Sequence, residues 1–250
     1  MQTEVCFTLL SNVNTFVIMK VILFKCSNNV GKGDLILNNW LLEKILIIPA
    51  ILIGFAFHEY AHAFVADRLG DKTPKFQGRL TLNPFVHIDL MGFLMILVVG
   101  FGWARPVETN PSAFKNRYKD DLKVSIAGPI ANLIVAFLGA ILVVLLSKFG
   151  FLGMKGVPLL YGVVGSILAA IIQINCMLFV FNLIPLPGLD GFHVLRDLFP
   201  STYYKISDSI YKYQMIILIL FIATPISTYI VGIPSHYLYS TFLRIASTLI

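Results

Sequence analysis

Residues 45–66, ILIIPAILIGFAFHEYAHAFVA, are 22 positions in which only His58, Glu59 and His62 carry a charged or imidazole side chain. A helix crosses the hydrocarbon core of a bilayer in roughly 20 residues, so this run is long enough to span. In lipid every backbone polar group must be satisfied internally, which restricts spanning segments to helices and closed barrels. Ionisable groups are costly there and usually mark function. The three polar residues form an HExxH, His58-Glu59-Tyr60-Ala61-His62. On a helix that spacing sets two imidazoles one turn apart on one face, as a tetrahedral zinc requires. The glutamate between them is placed to act on a metal-bound water. Soluble metalloproteases carry the motif on water-exposed helices, whereas this apolar setting points to hydrolysis within or at the edge of a bilayer. A chance match is disfavoured, because the chain has only 5 histidines.

Composition supports a membrane chain. Hydrophobic residues make up 57% and charged residues 13%, against about 25% charged in a soluble domain. Mean hydropathy is +0.82. A chain of 250 residues has room for about four to six spans with short loops and no appended soluble domain. The net charge of +6 comes from basic residues scattered between apolar segments, which suits anionic lipid rather than nucleic acid. Cys6, Cys26 and Cys176 form no CxxC pair and no even framework, so neither a disulfide scaffold nor a zinc ribbon is indicated. Residues 1–38 are only moderately apolar and lack the cationic start and cleavage site of a signal peptide. They are an N-terminal extension that is an additional span, an interfacial helix, or a lead upstream of a working start at Met19. Residues 39–250 form the functional unit, with a core over 41–192 and C-terminal helices over 193–250.

The apolar runs after the lead are 45–66, 90–104, 124–147, 159–181 and 214–233. The first, third and fourth are expected to span, and the last to span with a kink at Pro225. LMGFLMILVVGFGWA, 90–104, is short and contains Gly92, Gly100 and Gly102. It suits a re-entrant or β-hairpin membrane element, within about 78–107, covered by other helices. The fold class expected is therefore an all-α polytopic membrane protein with that one irregular insertion. Counting crossings agrees: His58 and His62 share an end of the bundle with the segment after 159–181 only if 90–104 dips in and returns. Loops 67–89 and 104–123 then lie on one side with four and five Lys/Arg, against two in 148–157. By the positive-inside tendency that side is cytoplasmic.

A third ligand is sought among distant acids and histidines. In Asn182-Leu-Ile-Pro-Leu-Pro-Gly-Leu-Asp190-Gly191, Pro185 and Pro187 break a helix and deliver Asp190 to the membrane boundary, and Gly191 permits close backbone approach. A carboxylate oxygen completes a two-histidine site and leaves a fourth position for water. An ordinary turn aspartate is the alternative, and His193 is the competing ligand. Asn132, Asn175 and Asn182 are polar residues in apolar spans. Interhelical hydrogen bonding is at least as good a reading for Asn132 and Asn175, while Asn182 is better placed to hold a scissile carbonyl or its oxyanion. His87 and Asp89, two apart, point badly for a shared metal and are read as structural.

HEYAH (58–62), AGPIAN (127–132) and NLIPLPGLDG (182–191) match, in order and approximate spacing, the signatures of the site-2 protease family of intramembrane zinc metalloproteases. GRLTLNPFVHID (78–89) and GWARPVETNPSAF (102–114) resemble its small prokaryotic branch without PDZ or CBS domains. The resemblance covers roughly residues 40–232. It implies one zinc held by His58, His62 and Asp190, Glu59 as catalytic acid/base, and Asn182 as an oxyanion or substrate contact. It also implies membrane-embedded protein substrates and a multi-pass protein of the prokaryotic cell membrane. Leu90 and Glu108 stand where this branch often has proline, and Gly188 and Phe192 where it often has proline and glycine. Those departures bear on loop shape and substrate fit, since no ligand is replaced. In the expected mechanism zinc acidifies its water, Glu59 takes the proton, and Glu59 returns it to the leaving amine. The substrate helix must first unwind, and an extended edge within 90–107 is suited to pair with it. The rival is a non-proteolytic transporter or metal-binding membrane protein, which would spread ionisable residues over several spans.

Overall fold

The computed structural model describes residues 34–100, 102–152 and 158–250. The expectations for residues 1–33, with Cys6, Cys26 and Met19, lie outside the described residues. The elements are α1 (Asp34–Leu69), α2 (Thr73–Phe76), α3 (Pro84–His87), α4 (Leu90–Val99), α5 (Arg117–Lys148), α6 (Pro158–Asn182), α7 (Asp190–Leu198), α8 (Pro200–Lys212), α9 (Gln214–Ala223) and α10 (Ile233–Leu249). A 3-10 turn (Pro111–Ala113) precedes α5 and a π turn (Thr228–Gly232) precedes α10. The described residues form an all-helical fold, as expected.

Among the described residues three helices are long and apolar enough to cross a membrane: Lys44–Leu69, Arg117–Lys148 and Gly162–Asn182, of 26, 32 and 21 residues. The bent pair α8–α9, with 82° between its halves, makes a fourth if counted as one span. The run 214–233 departs from its expected form. Pro225 ends the helix rather than kinking it. Thr224, pushed out of the helical region by the proline that follows, is extended at φ −95 and ψ 158. The chain then turns through the π segment into α10.

Small residues set the spacing of the bundle. Ala136, Ala140, Ile172, Cys176 and Ala246 bury the junction of α5, α6 and α10, while Ala50, Leu168 and Ile171 bury that of α1 with α6. Between membrane helices there is little hydrophobic gain, so close approach of small residues and interhelical hydrogen bonds hold the bundle. Asn132 on α5 supplies such bonds, donating to the Gly54 carbonyl of α1 (3.0 Å) and to Asn175 Oδ1 of α6 (2.8 Å). These contacts join the middle of α1, the middle of α5 and the C-terminal half of α6.

The 90–104 segment dips in and returns, with a helix where a hairpin or strand pair was expected. Asp89 caps α4 by accepting from Gly92 N (2.8 Å), and Gly100, left-handed at φ +85, ends it. Ten residues of helix rise about 15 Å, half the thickness of the hydrocarbon core. The chain then comes straight back: Ile88 bridges Ala104 antiparallel, and Arg105 N donates to His87 O at 2.8 Å. Two glycines make room for the return. A Cβ on Gly92 would lie 2.9 Å from Trp103 C, and one on Gly102 would lie 2.7 Å from Ile96 Cγ1. His87 and Asp89 are structural, as read from the sequence.

Candidate metal centre

His58 and His62 lie on adjacent turns of α1, both buried at 7% and 8% exposure. Their ring orientations are fixed from α5. His58 Nδ1 donates to Asn132 Oδ1 (2.7 Å) and His62 Nδ1 donates to the Val124 carbonyl (2.8 Å). With both Nδ1 atoms engaged, the two Nε2 atoms turn toward one point and stand 3.1 Å apart. Asp190 completes the triangle, its Oδ2 3.1 Å from His58 Nε2 and its Oδ1 3.3 Å from His62 Nε2.

These separations fit a metal. Tetrahedral ligands about 2.05 Å from a zinc are about 3.3 Å from each other. Asp190 Oδ2 is buried and has no hydrogen-bond donor, a costly state for a carboxylate oxygen that a cation would relieve. Space is kept as well: a Cβ on Gly128 would stand 2.7 Å from both His58 Cε1 and His62 Cε1. Val124, Gly128 and Asn132 recur every four residues on α5 and so form one stripe, giving respectively an acceptor, a gap and an acceptor. His58, His62 and Asp190 form the metal-binding group found among the described residues, and neither His193 nor His87 joins it.

Asp190 reaches the site because the chain breaks after α6 as the sequence suggested. Gly188 is left-handed at φ +87, a conformation closed to the proline expected there. Asp190 then opens α7, and Gly191 brings this turn onto the end of α6, where a Cβ would lie 2.5 Å from Leu183 C. Arg196 fastens α7 to α5 by pairing with Asp121, and also holds Asp197 Oδ1 at 2.9 Å. Phe192, the other departure, is an anchor: 1% exposed, it packs against Tyr203 and Tyr211 of α8 with ring centroids 4.9 and 5.3 Å away.

Glu59 is buried beside the ligands at 7% exposure, and its Oε2 accepts from Val107 N at 2.8 Å. Asn182, at the end of α6, donates from Nδ2 to Leu178 O of its own helix (3.0 Å). For Asn132 the sequence favours interhelical hydrogen bonding at least as well as a role in the site. The bonds are interhelical, but one of them orients a metal ligand, and the signal was its four-residue offset from Gly128 in AGPIAN.

Two histidines one helical turn apart and a distant carboxylate, sunk between apolar helices, define a metal hydrolase of the membrane interior. The model of "Peptidase family M50" matches residues 46–224, well over half of the chain, and the chain belongs to that family, the site-2 proteases. It is similar to "Putative zinc metalloprotease YwhC" of Bacillus subtilis, 41% identical over 74% of this chain and 83% of that one. "Putative zinc metalloprotease Rip2" of Mycobacterium tuberculosis is 30% identical over 76% of this chain and 71% of its own length. "Zinc metalloprotease MJ0392" of Methanocaldococcus jannaschii is 26% identical over 83% of this chain and 49% of its own. No solved structure matches significantly. The protein is a multi-pass intramembrane zinc metalloprotease, and the transporter reading falls.

Proposed function

We propose that Glu59 is the general acid/base of this protease and that its substrates are the membrane-spanning segments of other proteins. Zinc held by His58, His62 and Asp190 supplies a Lewis acid and an acidified water at the site. Glu59 follows His58 directly and precedes His62 by three positions, so its carboxylate flanks the ligand face of α1. One oxygen is held by the Val107 N–H, which leaves the other to accept a proton and return it to the leaving amine. That bond, accepted by a buried carboxylate beside three converging ligand atoms, is the observation that carries the reading. The return stretch that provides Val107 is also the surface against which an unwound substrate segment would lie. Asn182, eight residues before Asp190, is proposed to steady the substrate carbonyl or its oxyanion through the second N–H of its amide.

The protease unit comprises residues 39–250, and the site faces the cytoplasmic side of a prokaryotic cell membrane. Bacterial and archaeal relatives and the Lys/Arg-rich loops 67–89 and 104–123 support this placement. The test is Glu59→Gln beside Asp190→Ala. Glu59→Gln is expected to keep one zinc per chain and to lose cleavage on the order of 10²–10⁴-fold. Asp190→Ala is expected to lose the zinc. Appreciable turnover by Glu59→Gln would assign the acid/base role to another group.

A further inference from the structure

Arg79 lies in the loop between α2 and α3 yet is only 4% exposed. No carboxylate stands within ion-pair distance of it among the described residues. A buried guanidinium with no carboxylate in contact is expensive unless something else compensates it, and the charges of Glu59 and Glu108 reach it only from beyond contact distance. Its partners here are three carbonyls at the neck of the re-entrant element: Val86 on the inward side, and Arg105 and Pro106 (2.7 Å) on the return. The neck is further tied by His87, fully buried, whose Nε2 donates to Thr81 O at 2.7 Å.

Pro106 C=O and Val107 N–H belong to one peptide group. Arg79 holds its oxygen at 2.7 Å, and Glu59 Oε2 accepts from its nitrogen at 2.8 Å. The buried cation and the buried carboxylate are therefore joined through a peptide plane rather than by direct contact. Hydrogen bonds in such a chain polarise one another: donation to the carbonyl strengthens the N–H as a donor. The planar peptide also fixes direction, because the N–H can only point opposite to the C=O that Arg79 grips.

We propose that Arg79 is a positioning residue for the catalytic glutamate, acting through the Pro106–Val107 peptide group. This inference rests on the acid/base reading of Glu59. Loosening Arg79 lets the return stretch rotate, and a carboxylate displaced by an ångström costs on the order of a hundredfold in rate. The zinc ligands and their supports on α5 are untouched, so metal content is preserved.

The experiment uses the full chain in detergent with unfolded casein as substrate. Arg79→Gln is expected to hold one zinc per chain, to lose kcat on the order of a hundredfold, and to keep KM within about twofold. Arg79→Lys, with a charge but no fork, is expected to recover part of kcat. Val107→Pro removes the N–H without touching Arg79, and combining it with Arg79→Gln should add little, because both break one connection. In metal-free protein, the carboxylate infrared band assigned by subtracting Glu59→Gln should shift in Arg79→Gln. Wild-type kcat in Arg79→Gln, additive losses in the double variant, or an unmoved band would each overturn the proposal. Loss of zinc by both Arg79 variants would do so too, making Arg79 a residue of the fold. If Glu59→Gln is inactive while Arg79→Gln is unimpaired, only this inference fails. An active Glu59→Gln sinks the acid/base reading and this inference with it.

Discussion

Replacing Asn132 by leucine removes the acceptor that orients His58 while conserving bulk. Asn132 is fully buried and makes three contacts: from His58 Nδ1 at 2.7 Å, to Gly54 O at 3.0 Å and to Asn175 Oδ1 at 2.8 Å. In Asn132→Leu the His58 Nδ1–H must stay buried without a partner if Nε2 is to face the metal. A buried unsatisfied donor costs about 1–3 kcal/mol. Loss of the group that orients a metal-ligating histidine weakens metal binding about 10–100-fold, which corresponds to about 1.4–2.8 kcal/mol. The two routes agree in size. Asn132→Asp separates orientation from packing. It keeps an acceptor for His58, now as a carboxylate, and forfeits both donors, so zinc affinity should hold while the bundle loosens. Interhelical bonds in membranes average about 0.6 kcal/mol each, so losing two predicts a stability loss of at least about 1 kcal/mol, increased by the repulsion of the buried carboxylate oxygen from the Gly54 and Asn175 oxygens it faces. Zinc competition against a chelator and thermal melts, run on the same detergent preparations, give both quantities. Wild-type zinc affinity in Asn132→Leu, or equal losses in the leucine and aspartate variants, would refute the argument that Asn132 acts through His58.

Gly128→Ala should abolish zinc binding with the helices retained, because its Cβ would meet both imidazole Cε1 atoms at 2.7 Å; metal analysis and circular dichroism decide it, and a full zinc complement would show that α5 can back away. Asn182→Ala should slow turnover roughly a hundredfold with little change in melting temperature, whereas equal specific activity and a lower melting temperature would make it a packing residue. Single cysteines at Lys75 and Lys115, with the native cysteines replaced, should label from the same side of sealed vesicles, since Ile88 and Ala104 bring both ends of the re-entrant element together. Labelling from opposite sides would refute that arrangement.

Much of the site was legible because its elements are local patterns. HExxH carries its geometry in its own spacing, and the helix holding it is announced by 22 positions of apolar chain. The prolines before Asp190 signalled a break, and a break in a membrane helix has few purposes. The element at 90–104 was read as re-entrant from its length and glycines, but its helix was missed. Apolar runs of about ten residues do not declare helix or strand by periodicity alone, and here capping by Asp89 and the left-handed Gly100 decided. At Pro225 the expected kink became an end, since the apolar run hid how completely Thr224 would leave the helix.

The sequence by itself determined that this chain lives in a bilayer, that it carries a metal pair on one helix face, and which later segment breaks toward it. Those properties reside in hydropathy and i, i+4 spacing, which need no knowledge of neighbours. Only the tertiary structure decided what surrounds the pair. Asn132 rather than Asn182 bonds to a ligand, Gly128 is the space beside the imidazoles, and a loop arginine grips the peptide that holds Glu59. Each of these depends on which turn of one helix faces which turn of another. That registry is set by the packing of small residues across the whole bundle, where no single segment holds the information.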